Sequence, residues 1–146
     1  ISVARPDATF EEIVAACDAS GAAEFIERMP QGYNTLLEEN ASNLSGGQKQ
    51  RLSIARTLLN KPRILVLDEA ASALDPESEA IFIRNLSKIA VGRTVIMIAH
   101  RVSTRVNANA ILVMQQGHLM DSGRHEELLT RCETYQHLWN QQTGHV

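Results

Sequence analysis

Apolar residues in the first 60 positions recur at helical spacing, broken by polar turns. Thr9-Phe10-Glu11-Glu12 has the spacing of a capping box and predicts a helix to about Asp18. Ser20-Gly21 restarts the chain, and Ala22 to Met29 reads as a second short helix that Pro30 ends. Gln31 to Asn34 is a turn, Leu36 and Leu37 are expected in the core, and Glu38 to Ser42 is a polar loop. A longer helix is predicted from Gln48 to about Asn60, with Leu52, Ala55 and Leu59 on one face and Ile54 and Leu58 beside it.

The texture changes at Lys61-Pro62. Ile64 to Leu67 is a short continuous apolar run, the pattern of a strand buried on both faces. Asp75-Pro76-Glu77 starts a helix that carries Ile81, Phe82, Leu86 and Ile89 inward and stops near Gly92. Thr94 to Ala99 is a second buried strand, so a βαβ unit with parallel strands and a right-handed crossover is expected. A short helix near Ser103 to Val106 follows, then a hairpin of Ala110 to Met114 and His118 to Asp121 around Gln115-Gln116-Gly117. Two last helices are expected, one after Gly123 through Leu129 and one holding Tyr135, Leu138 and Trp139.

Chemistry concentrates at the ends of these elements. In Asn43-Leu44-Ser45-Gly46-Gly47-Gln48, Ser45 can cap a helix and the glycines let backbone approach a ligand. Free N–H groups and the positive end of the helix dipole make phosphate the natural guest, although an ordinary Ser-Gly-Gly turn would look the same locally. Asp68 and Glu69 stand where the first strand ends, and His100 where the second ends. Open α/β sheets bind ligands at that edge. An acidic pair closing a strand and a packing histidine are the bland alternatives. Asp75 needs no role beyond its helix cap.

A net charge of −3 and the lack of a basic excess speak against nucleic acid as a partner. No apolar run approaches the roughly 20 residues of a membrane helix. Cys17 and Cys132 match no metal spacing and read as reduced thiols. Ile1 is neither an initiator methionine nor the start of a signal peptide, so the chain is expected to be cut from something longer.

Leu44-Ser45-Gly46-Gly47-Gln48 on a basic helix resembles the signature motif of ATP-binding cassette (ABC) ATPases. Ile64-Leu65-Val66-Leu67-Asp68-Glu69, Ser72-Ala73-Leu74-Asp75 and Ala99-His100 follow in the order and spacing of that family. Gly92-Arg93-Thr94, His100-Arg101-Val102-Ser103-Thr104 and Gly123-Arg124-His125-Glu126-Glu127-Leu128-Leu129 resemble the exporter type. Gly32-Tyr33-Asn34-Thr35 and Arg84 to Ile89 are similar to exporters of bacterial type I secretion such as the haemolysin exporter.

The resemblance implies an α/β fold: part of a P-loop NTPase (RecA-like) core with a helical subdomain, lacking its N-terminal Walker A half. Residues 1–60 would be the helical subdomain and 61–146 the C-terminal part of the core. Glu69 would be general base, His100 the switch histidine at the γ-phosphate, and Asp68 the Mg²⁺ ligand through water. Ser45, Gly46, Gly47 and Gln48 would contact ATP held by a second, identical cassette, with Asp75 coupling the two sites. A transmembrane domain of the same parent would place it at the cytoplasmic face of a bacterial inner membrane, the piece itself being soluble. Asn40-Ala41, where such exporters carry glycines, together with Ala71 and Asn109, depart from the family pattern, and no Gly-x-x-x-x-Gly-Lys-Ser/Thr occurs. The resemblance puts that motif, the adenine-stacking aromatic and the Gln loop ahead of Ile1. A soluble ABC ATPase of DNA repair or translation, or a mere interaction module, are the competing readings.

Overall fold

Thr9 opens the first helix, α1 (Phe10–Ser20), because its hydroxyl accepts from the Glu12 N–H while the Glu12 carboxylate accepts from the Thr9 N–H. In this computed structural model, residues 1–68, 75–98 and 106–144 are described. Glu12 also pairs with Arg5 and, at 2.7 Å, with Lys61, tying the helix start to a segment 49 positions further along the chain. Gly21 closes α1 in the left-handed region at φ 76°, which glycine adopts without steric penalty.

The second helix, α2 (Ala23–Ile26), is shorter than the pattern implied. Arg28 and Met29 donate to carbonyls three residues back, at 3.2 and 3.0 Å, so the chain tightens out of the α-helix before Pro30. Leu36 and Leu37 are not core residues: Leu36 is 85% exposed and Leu37 is exposed as well. The Asn43 side chain holds that segment on the surface by accepting from the Glu38 N–H and donating to the Leu36 carbonyl. Beyond it, Asn40 and Ala41 take φ of 56° and 50°, the very conformation that alanine disfavours.

Next come α3 (Gly46–Leu59), β1 (Ile64–Asp68), α4 (Pro76–Ala90) and β2 (Thr94–Ile98). The strands pair in parallel, Val66 opposite Ile96 and Asp68 opposite Ile98, as the βαβ pattern predicts. Ala16, Ile54, Leu58, Leu59, Leu65, Leu67, Phe82 and Ile89 form one core, drawn from α1, α3, β1 and α4. A second cluster gathers Cys17, Ala22, Phe25, Ile26, Leu44 and Ala55 around the start of α3.

Burial of the strands on both faces is not observed. Leu65 and Leu67 are covered, whereas Ile64, Val66, Ile96 and Ile98 are exposed. One face of the pair packs into the helical core, and no described element covers the other.

The chain divides into two compact units, Ile1–Ile98 and Ala99–Val146. In the second, β3 (Ile111–Gln115) and β4 (His118–Gly123) are antiparallel, joined by Gln116 and Gly117 with φ of 49° and 79°. Positive φ at both turn positions matches the twist of a two-residue hairpin. Helices α5 (His125–Arg131) and α6 (Glu133–Thr143) follow, and Val113, Leu128, Cys132 and Tyr135 form their core. His125 shares a 2.8 Å hydrogen bond with the Tyr135 hydroxyl, and its ring lies 4.2 Å from that of Trp139. The short helix expected near Ser103 falls mostly outside the described residues.

Phe82 is the largest side chain filling the first core. Phe82→Ala should lower the stability of the Ile1–Ile98 unit by about 3–5 kcal/mol, read by urea unfolding followed by circular dichroism. A loss under about 1 kcal/mol would mean the core does not close around this ring.

Candidate functional site

Four backbone donors at the start of an α-helix have no partner within the helix. At α3 the lack is partly filled. Ser45 Oγ accepts from the Gln48 N–H at 3.2 Å, and Gln48 Oε1 accepts from the Ser45 N–H at 2.9 Å. Lys49 N donates to the Ser45 carbonyl at 2.9 Å. The donors left at the surface are the Gly46 N–H, the hydroxyl proton of Ser45 and the side-chain amide of Gln48, while Gly47 is buried. Ser45 and Gly46 are exposed, and nothing lies within 4 Å of where a Cβ on Gly46 would stand. A phosphate oxygen would meet neutral dipolar donors at the positive helix end.

Asp75 caps α4 as expected: its carboxylate accepts from the Ser78 N–H at 3.0 Å, with Pro76 following. Hydrogen bonds from the Ser78 backbone and hydroxyl hold its carboxyl below the usual carboxylate range. Asp75 lines the same cleft of about 780 Å³ as Ser45 and Gln48. Two predicted site segments, 30 positions apart in sequence, thus open on one surface.

Asp68 ends β1 with an exposed carboxylate, level with Ile98 at the end of β2. Among the described residues it has no ion pair, and no three His, Cys, Asp or Glu side chains gather as a metal cage. A single hard oxygen donor fits Mg²⁺, which binds through one or two carboxylates, water and a substrate's phosphates. Glu69, His100 and the Ser72-Ala73-Leu74 stretch lie outside the described residues.

Pattern reading missed Arg51. It is buried, 7% exposed, with its guanidinium 5.4 Å over the centre of the Phe25 ring. The signal was available, because Gly47, Arg51, Ile54, Ala55 and Leu58 follow the helical 3–4 spacing of the buried stripe. Asn85 was missed for the same reason, standing between Phe82 and Ile89 on the buried face of α4.

The ABC transporter family profile matches residues 3–72. The chain is 49% identical over 144 residues to the alpha-hemolysin translocation ATP-binding protein HlyB of Escherichia coli O6:H1 (strain CFT073), covering 98% of this chain and 20% of that protein. To the toxin RTX-I translocation ATP-binding protein of Actinobacillus pleuropneumoniae it is 53% identical over 129 residues, 88% of this chain and 18% of that one. A bacterial Atm1-family ABC exporter, solved with ATP bound, superposes with a TM-score of 0.84 at 43% identity, over 97% of this chain and 25% of that one. Over residues 3–72 the chain matches the ABC transporter family, and along nearly its whole length it is similar to an ABC exporter and to the ATP-binding proteins of type I secretion. Its fold is part of the P-loop NTPase domain of that family. It spans about a fifth of the length of the curated relatives it matches.

The Asp75 cap carries a pH signature. A carboxyl depressed in the folded state contributes stability that is complete above its ordinary titration range and is lost as pH falls through the folded value. In an acid titration followed by circular dichroism, Asp75→Asn, whose amide oxygen can still cap, should shrink the loss of helix at low pH. A step of unchanged size would remove Asp75 from the acid response.

Proposed function

We propose that this chain is part of the ATP-binding cassette of an exporter whose parent protein couples Mg-ATP binding and hydrolysis, at a pair of cassettes, to type I secretion of a protein cargo. Residues 1–60 act as the helical subdomain, and residues 61–146 as the Walker B side of the core. The carrying observation is the start of α3, where Ser45 and Gln48 close a capping box and line one cleft with Asp75, and Gly46 is exposed between them. Ser45, Gly46, Gly47 and Gln48 receive the terminal phosphate of ATP held by the other cassette, and Asp75 transmits its occupancy between the sites.

Asp68 holds Mg²⁺ through water, and the metal would neutralise charge on the phosphates. Glu69, next after β1, orients and deprotonates the attacking water; His100, two positions after β2, contacts the γ-phosphate. The names of the relatives support export, since HlyB and the RTX-I protein are translocation ATP-binding proteins. The repair or translation alternative draws no support from them. The likeness to an ABC exporter supports a transmembrane domain as the partner that spans the bilayer, and no described helix is long and apolar enough to cross a membrane. The site of action is the cytoplasmic face of that membrane.

In the full-length parent, Glu69→Gln should reduce ATP hydrolysis by at least about a hundredfold while ATP still binds. Undiminished turnover would sink the assignment of Glu69. The 146-residue chain alone should show no measurable heat of ATP binding and should self-associate through its exposed Ile64, Val66, Ile96 and Ile98. Tight ATP binding by calorimetry, or a monomer at every concentration in sedimentation, would count against this picture.

A further inference from the structure

We propose that Arg51 is a positioning residue that fixes the start of α3, carrying Ser45 to Gln48, against the start of α4, carrying Asp75, without touching the nucleotide. The inference rests on the function proposed above and adds a residue to it.

Arg51 stands one turn after Gln48 and lines the cleft that Ser45, Gln48 and Asp75 share. Its stem passes the C-cap of α1 so closely that a Cβ on Gly21 would lie 3.3 Å from Arg51 Cδ and 2.7 Å from Asn85 Nδ2. α1, α3 and α4 therefore meet around one side chain. The guanidinium reaches over Phe25 of α2, and Glu24, Asp75 and Glu77 attract it. Burial pushes the group below its ordinary pKa, those carboxylates pull the other way, and Arg84 on α4 opposes them.

As a packing residue alone, Arg51 is a poor choice. Nε and Nη1 are buried with no hydrogen-bond partner among the described residues, and unpaired buried donors are destabilising. Apolar residues of similar volume often replace buried charges with no loss of stability, or with a gain. What methionine lacks is a long-range pull on the acidic start of α4. Arginine at this place trades stability for a defined spacing between two segments that face a partner together.

The test uses the full-length parent. Arg51→Met should leave the thermal midpoint unchanged or raised, lower kcat at least about tenfold and keep KM for ATP within about twofold. Arg51→Lys, which keeps stem and charge, should recover part of the lost kcat. Phe25→Leu should lower kcat in the same direction, and adding it to Arg51→Met should cost little more, because both act at one contact. Ile89→Val, a core change at the far end of α4, sets the effect of simple destabilisation and should leave kcat intact. Full activity in Arg51→Met, a raised KM, or a midpoint lowered in Arg51→Met with kcat falling likewise in Ile89→Val, so that kcat merely follows stability, would each overturn the proposal. If Arg51→Met does not fold, folded Phe25→Leu with normal kcat would overturn it too. Gly47→Asp in the same preparation separates the two readings: if that variant hydrolyses ATP normally, the function proposed for the α3 start has failed, not the role of Arg51.

Discussion

The reciprocal hydrogen bonds between Ser45 and Gln48 determine what the start of α3 can offer a ligand. A helix with all its first donors free would bind anions indiscriminately and fray in their absence. Closing the box on two donors, the Ser45 and Gln48 N–H groups, keeps the first turn formed and leaves the N–H groups of Gly46 and Gly47 without a partner inside the helix, Gly46 at the surface. The rest of the Ile1–Ile98 unit holds that turn in place. α1 and α4 pack along the buried stripe of α3, and the stripe begins at Gly47, inside the first turn of the helix.

The sheet follows a different logic. Two parallel strands bring their C-terminal ends level, Asp68 beside Ile98, along one edge. That edge does not require a wide sheet. It requires a register, and the apolar contacts of Leu65 and Leu67 with the helices provide it, since a slip by one residue would turn both side chains out.

Helix starts were legible because caps are local: Thr9, Ser45 and Asp75 each bond to a residue three positions on, and the spacing is printed in the chain. The hairpin turn at Gln116-Gly117 was legible for the same reason. Burial was not. Ile64 to Leu67 is apolar throughout, yet only alternate residues are covered, because coverage depends on neighbours that a four-residue run cannot describe. Leu36 and Leu37 failed similarly: a side chain seven positions away, Asn43, ties their backbone to the surface. Arg51 was overlooked because its charge argued against a buried place that its periodicity supported. The family motifs were legible as strings, but the meeting of Ser45 and Asp75 on one cleft needed the fold.

The ring stack of His125 on Trp139 gives the second unit a private optical label. Trp139 is the sole tryptophan in the chain, so its emission reports on the hairpin-and-helix unit in which it sits. Unfolding of the C-terminal unit can thus be followed by fluorescence, while ellipticity follows the helices of both units together.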